Sequence, residues 1–199
     1  ITVAKRQPGS VFKPFVMAQA LASALTPEPD SEKLVLTAST LVDDVPTVFE
    51  FDDKTYEPNN YGEKFYGPVS LRRSLTKSLN VATVKIAELT GLDKISSLAK
   101  AAGMNQKLSA TPALALGAYE VTPLEVAGAY TMFANQGIRM APLFIRSVAD
   151  SKGKVFEKSS SNPEVVLDPR IAYLMTNLME GVINHGTAAR ARGLGFAAP

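Results

Sequence analysis

Residues 7–25, QPGSVFKPFVMAQALASAL, constrain this chain more than any other stretch. Between positions 11 and 25 the only polar side chains are Lys13, Gln19 and Ser23. A helix that is apolar nearly all round has to be buried, so the rest of the chain must wrap it. Gln7-Pro8-Gly9 is a turn-forming cluster, because Pro fixes φ and Gly permits a tight path. Ser10 is a good N-cap type. Pro14 is tolerated only near a helix start, where its missing N–H has no partner to lose. The expectation is a helix capped by Ser10 and running to Leu25, with Pro14 about one turn in.

Ser10 and Lys13 are three residues apart and share a face across the first turn. Burial disfavours the charged form of a lysine, and a neutral amine can accept a proton. A serine within reach of such a base is an activated nucleophile, and a helix N-terminus stabilises negative charge developing there. The same spacing also fits an ordinary N-cap serine followed by a snorkelling lysine. These residues alone leave both readings open.

The totals remove several function classes. A chain of 199 residues is long enough for one sizeable domain or most of a larger one. A net charge of +2 with scattered basic residues makes no case for nucleic acid. With no cysteine, disulfides and thiolate metal sites are excluded, and one histidine cannot build a multi-His metal site. That residue, His185, stands beside Gly186 at an expected helix end and reads as a C-terminal cap. No apolar run is long enough to span a bilayer uninterrupted. The opening ITVAKRQPGS reads as a strand entering the turn.

Further along, residues 26–33 (TPEPDSEK) form a polar, Pro-rich loop. Residues 34–51 suggest short strands around a DDVP turn, and residues 52–68 read as a long irregular segment. Its aromatics, Tyr56, Tyr61, Phe65 and Tyr66, either line a groove or pin the loop to the core. Ser70 caps a helix through about Lys77, and a second helix runs from about Val81 to Leu89 before Gly91. Ser78 and Asn80, at the junction between them, read as caps. Asp93 starts a helix ended near Gly103. Thr122-Pro123-Leu124-Glu125 is a capping-box start, with Val121 and Val126 spaced for a hydrophobic staple and Gly137 closing the helix. Residues 143–149 and 154–158 read as two strands joined by a turn, and Asp168-Pro169 opens a last helix to about Asn184. Without repeats or a dividing linker, the tally is one helix-rich α+β domain.

QPGSVFKPF resembles the S-x-x-K motif of penicillin-binding proteins, and KSLNVATVKIA resembles their S-x-N motif. PTVFEFDDKTYEPNNYGEKFYGPVSLRRSLTKSLNVATVKIA, ALALGAYEVTPLEVAGAYTMFANQGIRMAPLFI and IAYLMTNLMEGVINHGTAARA are similar to segments of the transpeptidase domain of the class A, bifunctional members. The similarity covers nearly the whole chain in the right order. It implies the penicillin-binding protein transpeptidase / serine β-lactamase-like fold. The family's third motif, K-T-G, is absent from the sequence. The resemblance therefore implies that residues 1–199 are part of a single domain cut at both ends, with part of the central antiparallel sheet missing. It places a glycosyltransferase domain and membrane anchor on the N-terminal side, and implies that the piece alone acylates poorly.

The resemblance also assigns roles. Ser10 attacks the carbonyl between two D-alanines of a peptidoglycan stem peptide, and an amine from a neighbouring stem then takes the acyl group. Lys13 is the base, Ser78 relays a proton, and Asn80 orients Lys13 and binds the peptide backbone. The Ser10 backbone N–H supplies half of an oxyanion hole. β-Lactams are expected to acylate Ser10; no metal or organic cofactor is called for, since nucleophile and base are both side chains. The implied partners are stem peptides, cell-wall synthesis proteins and a membrane reached through the anchor, at the extracytoplasmic face of the bacterial cytoplasmic membrane. Rival readings are a serine β-lactamase or β-lactam sensor, a D,D-carboxypeptidase, and a non-catalytic scaffold on the same fold.

Overall fold

The computed structural model describes residues 2–25 and 35–197. The loop expected at residues 26–33 lies outside the described residues. The buried helix is present as α1 (Lys13–Ala22), preceded by a 3₁₀ turn, Gly9–Phe12. Ser10 is not its cap. Pro14 has no N–H to offer the Ser10 carbonyl, so that carbonyl accepts from Lys13 N–H in a tighter turn instead. The helix also stops at Ala22, and residues 23–25 continue as turns.

A short strand β1 (Leu41–Asp44) is followed by the hairpin β2 (Phe49–Phe51) and β3 (Lys54–Tyr56). The segment expected to be irregular is thus partly ordered: β3 lies within it, as do a 3₁₀ turn, Tyr61–Glu63, and the start of β4 (Gly67–Ser70). β4 returns antiparallel to β1. Ser70 caps α2 (Leu71–Thr76), accepting from Arg73 N–H, and α3 (Asn80–Thr90) and α4 (Leu92–Ala101) follow.

After a 3₁₀ turn, Pro112–Leu116, the Thr122–Glu125 capping box opens α5 (Pro123–Ala134) as expected. The short strand β5 (Ile138–Met140) comes next. The expected hairpin is β6 (Ser147–Ala149) with β7 (Val155–Lys158). β8 (Pro163–Val165) pairs back to β5, which the sequence did not suggest. Asp168 caps α6 (Pro169–His185), and a final turn of helix, α7 (Arg190–Gly193), had no sequence signal that we read. Among the described residues the strands form four separate antiparallel pairs, and the expected N-terminal strand is a single bridge from Arg6 to Val121.

One hydrophobic core surrounds α1. Phe15, Val16, Met17, Ala18 and Ala20 are wholly inaccessible, against Val81, Val84 and Ile86 of α3, Ile95 of α4, Met132 of α5 and Met175 of α6. The Phe15 ring lies 5.5 Å from Phe12, 5.7 Å from Tyr130 and 5.4 Å from Phe133, centroid to centroid. Burying one such side chain contributes about 2–3 kcal/mol. The consequence for function is rigidity: the helix carrying Lys13 is held on every side.

Candidate active site

The turn at Gly9–Phe12 brings Ser10 to the surface while Phe12 and Lys13 point inward. Two contacts from distant segments clamp it. Gly9 N–H donates to the Gly117 carbonyl at 3.2 Å. Gly117 has φ +68°, and a Cβ there would sit 2.3 Å from the Gly9 carbonyl oxygen, so only glycine allows the approach. From α5, the Tyr130 hydroxyl donates to the Val11 carbonyl at 2.7 Å. Within the turn, Val11 N–H donates to the Pro8 carbonyl at 3.4 Å.

Lys13 is 1% exposed. Its Nζ donates to Asn80 Oδ1 at 2.7 Å, to the Ser78 carbonyl at 2.7 Å and to Ser78 Oγ at 3.0 Å. Ser78 Oγ lies 2.9 Å from Ser10 Oγ. Ser10 therefore reaches Lys13 through Ser78, in a chain of two hydrogen bonds. Burial lowers the Lys13 pKa from 10.5 to about 8, with the Asp44 charge pulling the other way. About a tenth of the amine is then neutral near pH 7. With Lys13 charged, its three donors are all used and Ser78 donates toward Ser10. With Lys13 neutral, the same spacing lets the chain run in reverse, from Ser10 to Ser78 to Nζ.

Ser78 is not a cap of the kind expected. Leu79 N–H bonds the Ser74 carbonyl and Ser78 N–H bonds the Leu75 carbonyl, closing α2 in a Schellman arrangement. Ser78 takes the left-handed position, φ +54°, where glycine is usual. That conformation costs a serine about 1 kcal/mol or more and turns its carbonyl and hydroxyl together toward Lys13. Asn80, the first residue of α3, accepts from Lys13 and donates through Nδ2 to the Asn59 carbonyl at 2.7 Å.

All four residues singled out from the sequence thus converge. Ser10, Lys13 and Ser78 line one side of a cavity of about 300 Å³ whose other walls include Tyr130, Met179, Val182 and Thr187, and Asn80 stands behind them on the Lys13 amine. Larger hollows of about 540 and 690 Å³ lie against α6, but they hold no nucleophile and base together. Sequence reasoning missed Asp44, Asn60, Gly117 and Tyr130. Asp44 and Asn60 carried only turn-like signals, in DDVP and NNYG. Of the four aromatics, Tyr56 and Phe65 pack on the core, while Tyr61 is fully exposed and Tyr66 lies under Arg73. His185 ends α6, exposed, and its carbonyl accepts from Lys77.

A surface serine linked to a desolvated lysine through a second serine is an arrangement that can activate a serine nucleophile without a histidine. The description "Penicillin binding protein transpeptidase domain" matches residues 2–198, and the chain belongs to that family. It is 33% identical over 203 residues to penicillin-binding protein 1A of Neisseria flavescens, covering 98% of this chain and 24% of the relative. With penicillin-binding protein 2D of Bacillus subtilis it shares 35% over 186 residues, covering 92% and 25%. The chain therefore spans about a quarter of the length of the curated relatives it matches. The crystal structure of penicillin-binding protein 1A from Haemophilus influenzae superposes with a TM-score of 0.84 at 25% identity, over 95% of this chain and 32% of that one. The imipenem acyl-enzyme complex of penicillin-binding protein A from M. tuberculosis shares the fold, with a TM-score of 0.74 at 24% identity over 90% and 44%. These likenesses fit the expected α+β transpeptidase fold.

Proposed function

We propose that this domain is a peptidoglycan D,D-transpeptidase working through a serine acyl-enzyme at Ser10. The observation that carries the reading is the Ser10–Ser78–Lys13 chain, with separations of 2.9 and 3.0 Å. Ser10 Oγ attacks the carbonyl between two D-alanines, and its proton passes through Ser78 to the neutral Lys13 amine. The C–N bond breaks, and the departing D-alanine nitrogen takes that proton back along the same chain. An amine from a second stem peptide then attacks the ester carbonyl and gives up its proton to Lys13; as the ester C–O bond breaks, that proton passes through Ser78 to the Ser10 oxygen, leaving an amide cross-link and free Ser10. Asn80 holds Lys13 in place and presents its amide to the donor peptide. The Ser10 N–H stabilises the oxyanion as one donor of the pair such a step needs.

β-Lactams acylate the same oxygen in this account, a reading supported by the family and by the acyl-enzyme complex of the M. tuberculosis relative. Residues 1–199 are part of a single transpeptidase domain. The full-length protein carries a glycosyltransferase domain and works at the extracytoplasmic face of the bacterial cytoplasmic membrane, held by an anchor, among other cell-wall synthesis proteins. Among the described residues no helix is long and apolar enough to cross a membrane.

The test is to incubate the full-length protein with a D-Ala-D-Ala stem peptide and an amine acceptor and weigh the products. A cross-linked species lacking one D-alanine is expected. Release of the shortened stem alone defines a carboxypeptidase, and rapid β-lactam turnover a β-lactamase; either contradicts the proposal.

A further inference from the structure

Asn80 is held by a buried pair that the reaction as described does not use. Asp44, at the end of β1, is wholly inaccessible, and Asn60 is 5% exposed. Asn60 Nδ2 donates to both Asp44 carboxylate oxygens at 2.9 Å and to the Lys64 carbonyl at 2.9 Å. Tyr66 N–H completes the carboxylate's shell at 3.1 Å. The other end of the same amide, Asn60 Oδ1, accepts from Asn80 N–H at 2.7 Å and Val81 N–H at 3.3 Å.

Those two N–H groups are among the first-turn donors of α3 that have no partner within the helix. Its N-cap position is Leu79, whose side chain cannot accept a hydrogen bond. Asn60 supplies the missing cap from twenty residues away. Asn59 adds a grip on the Asn80 side chain through its carbonyl. An asparagine amide could sit either way round, but the Asp44 carboxylate accepts only from the NH₂ end, so it fixes the oxygen toward α3.

We propose that Asp44 and Asn60 are positioning residues for the base: the carboxylate orients the Asn60 amide, the amide sets the start of α3, and Asn80 at that start holds the Lys13 amine on Ser78. This rests on Lys13 being the base of the transpeptidase reaction above. The pair also supplies the negative charge felt by Lys13. The other groups near the amine are neutral: Ser78 and Asn80 from the junction, Met179, Val182 and Ile183 from α6, and the Tyr130 phenol from α5, which burial keeps protonated. Charged side chains on the packed elements stand apart. Arg73 and Lys77 of α2, Glu88 of α3 and Asp93 and Lys94 of α4 are exposed, Lys85 reaches the Asp43 carbonyl, Glu125 closes its own capping box, and Lys100, Glu180 and His185 do not line the cavity.

The experiment measures the acylation rate of the full-length protein by a fluorescent penicillin across a pH range bracketing 8, for wild type and three variants. Asn60→Ala removes the cap and is expected to slow acylation on the order of a hundredfold. Asp44→Asn removes the charge that favours the ammonium, so the midpoint of the rising limb moves to lower pH, a change that loss of packing would not produce. The exchange Asp44→Asn with Asn60→Asp puts a carboxylate one hydrogen bond nearer Lys13 and brings the midpoint back to the wild-type value or above. Should Asp44→Asn melt below the assay temperature, the exchange carries the comparison alone, since one carboxylate and one amide remain. An unmoved midpoint in Asp44→Asn, a midpoint below wild type in the exchange, or a near-normal rate in Asn60→Ala overturns the proposal while leaving the transpeptidase reading intact. A wild-type protein that takes no label at Ser10 overturns both.

Discussion

Ser10 and Ser78 stand sixty-eight residues apart in the chain, yet their hydroxyl oxygens are 2.9 Å apart. Ser78 is the only side-chain partner of Ser10 among the described residues, so in the proposed reaction Lys13 acts on Ser10 through it. What brings the two together is backbone: a proline that tightens the turn before α1, and a left-handed serine that closes α2. Both features cost something in local conformation, and both aim a hydroxyl.

The strain at Ser78 can be separated from its chemistry. Ser78→Ala and Ser78→Gly remove the same hydroxyl, but only glycine adopts φ +54° freely. Both variants are expected to lose acylation roughly 10²-fold or more. Chemical denaturation should find the glycine variant about 1 kcal/mol more stable than the alanine variant. Equal stabilities would mean that the left-handed turn carries no strain.

Gly9 and Gly117 both have positive φ, but only one is crowded. A Cβ at Gly9 meets nothing within 4 Å, whereas one at Gly117 strikes the Gly9 backbone. Gly9→Ala should therefore cost about 1 kcal/mol of stability. Gly117→Ala should cost more and also slow β-lactam acylation, because it pushes the turn bearing Ser10. Comparable acylation rates in the two variants would detach Gly117 from the nucleophile's placement.

Lys13 links stability to pH. Its folded pKa is about 8 against 10.5 for the free side chain, so below pH 8 both states bind the proton and the burial penalty is present in full. Between those values the unfolded chain holds a proton that the folded protein has released, and stability rises with pH, by about 3 kcal/mol in all. Lys13→Met should flatten that rise in denaturation curves taken across the window. Lys13→Arg keeps a permanent charge and should lose acylation by roughly 10²–10⁴-fold. A rise of the same size in Lys13→Met would assign the linkage to another group.

How far the sequence discloses this site depends on the range of each signal. The capping box at Thr122–Glu125, the Asp168 cap and the Ser70 cap are local, and each falls where the spacing predicts. The apolar run after Ser10 identifies the central helix because burial on all sides leaves no polar stripe. Ser10 as an N-cap was wrong, since the effect of Pro14 on the carbonyl four residues earlier outweighs cap preference. Ser78 resisted reading for a similar reason: a Schellman closure ordinarily announces itself by glycine. The pairing of β5 with β8 depends on three-residue strands whose residues are half-buried or exposed, with too little periodicity to detect. Asp44 and Asn60 looked like turn residues, and only the fold reveals that they meet beneath Asn80.

The most direct test is to locate the covalent bond. The full-length protein is treated with a β-lactam, digested, and its peptides are weighed. The adduct is expected on the peptide containing Ser10, one drug per chain, and to vanish in Ser10→Ala. An adduct on Ser78 or any other residue, or undiminished labelling of Ser10→Ala, would contradict the account.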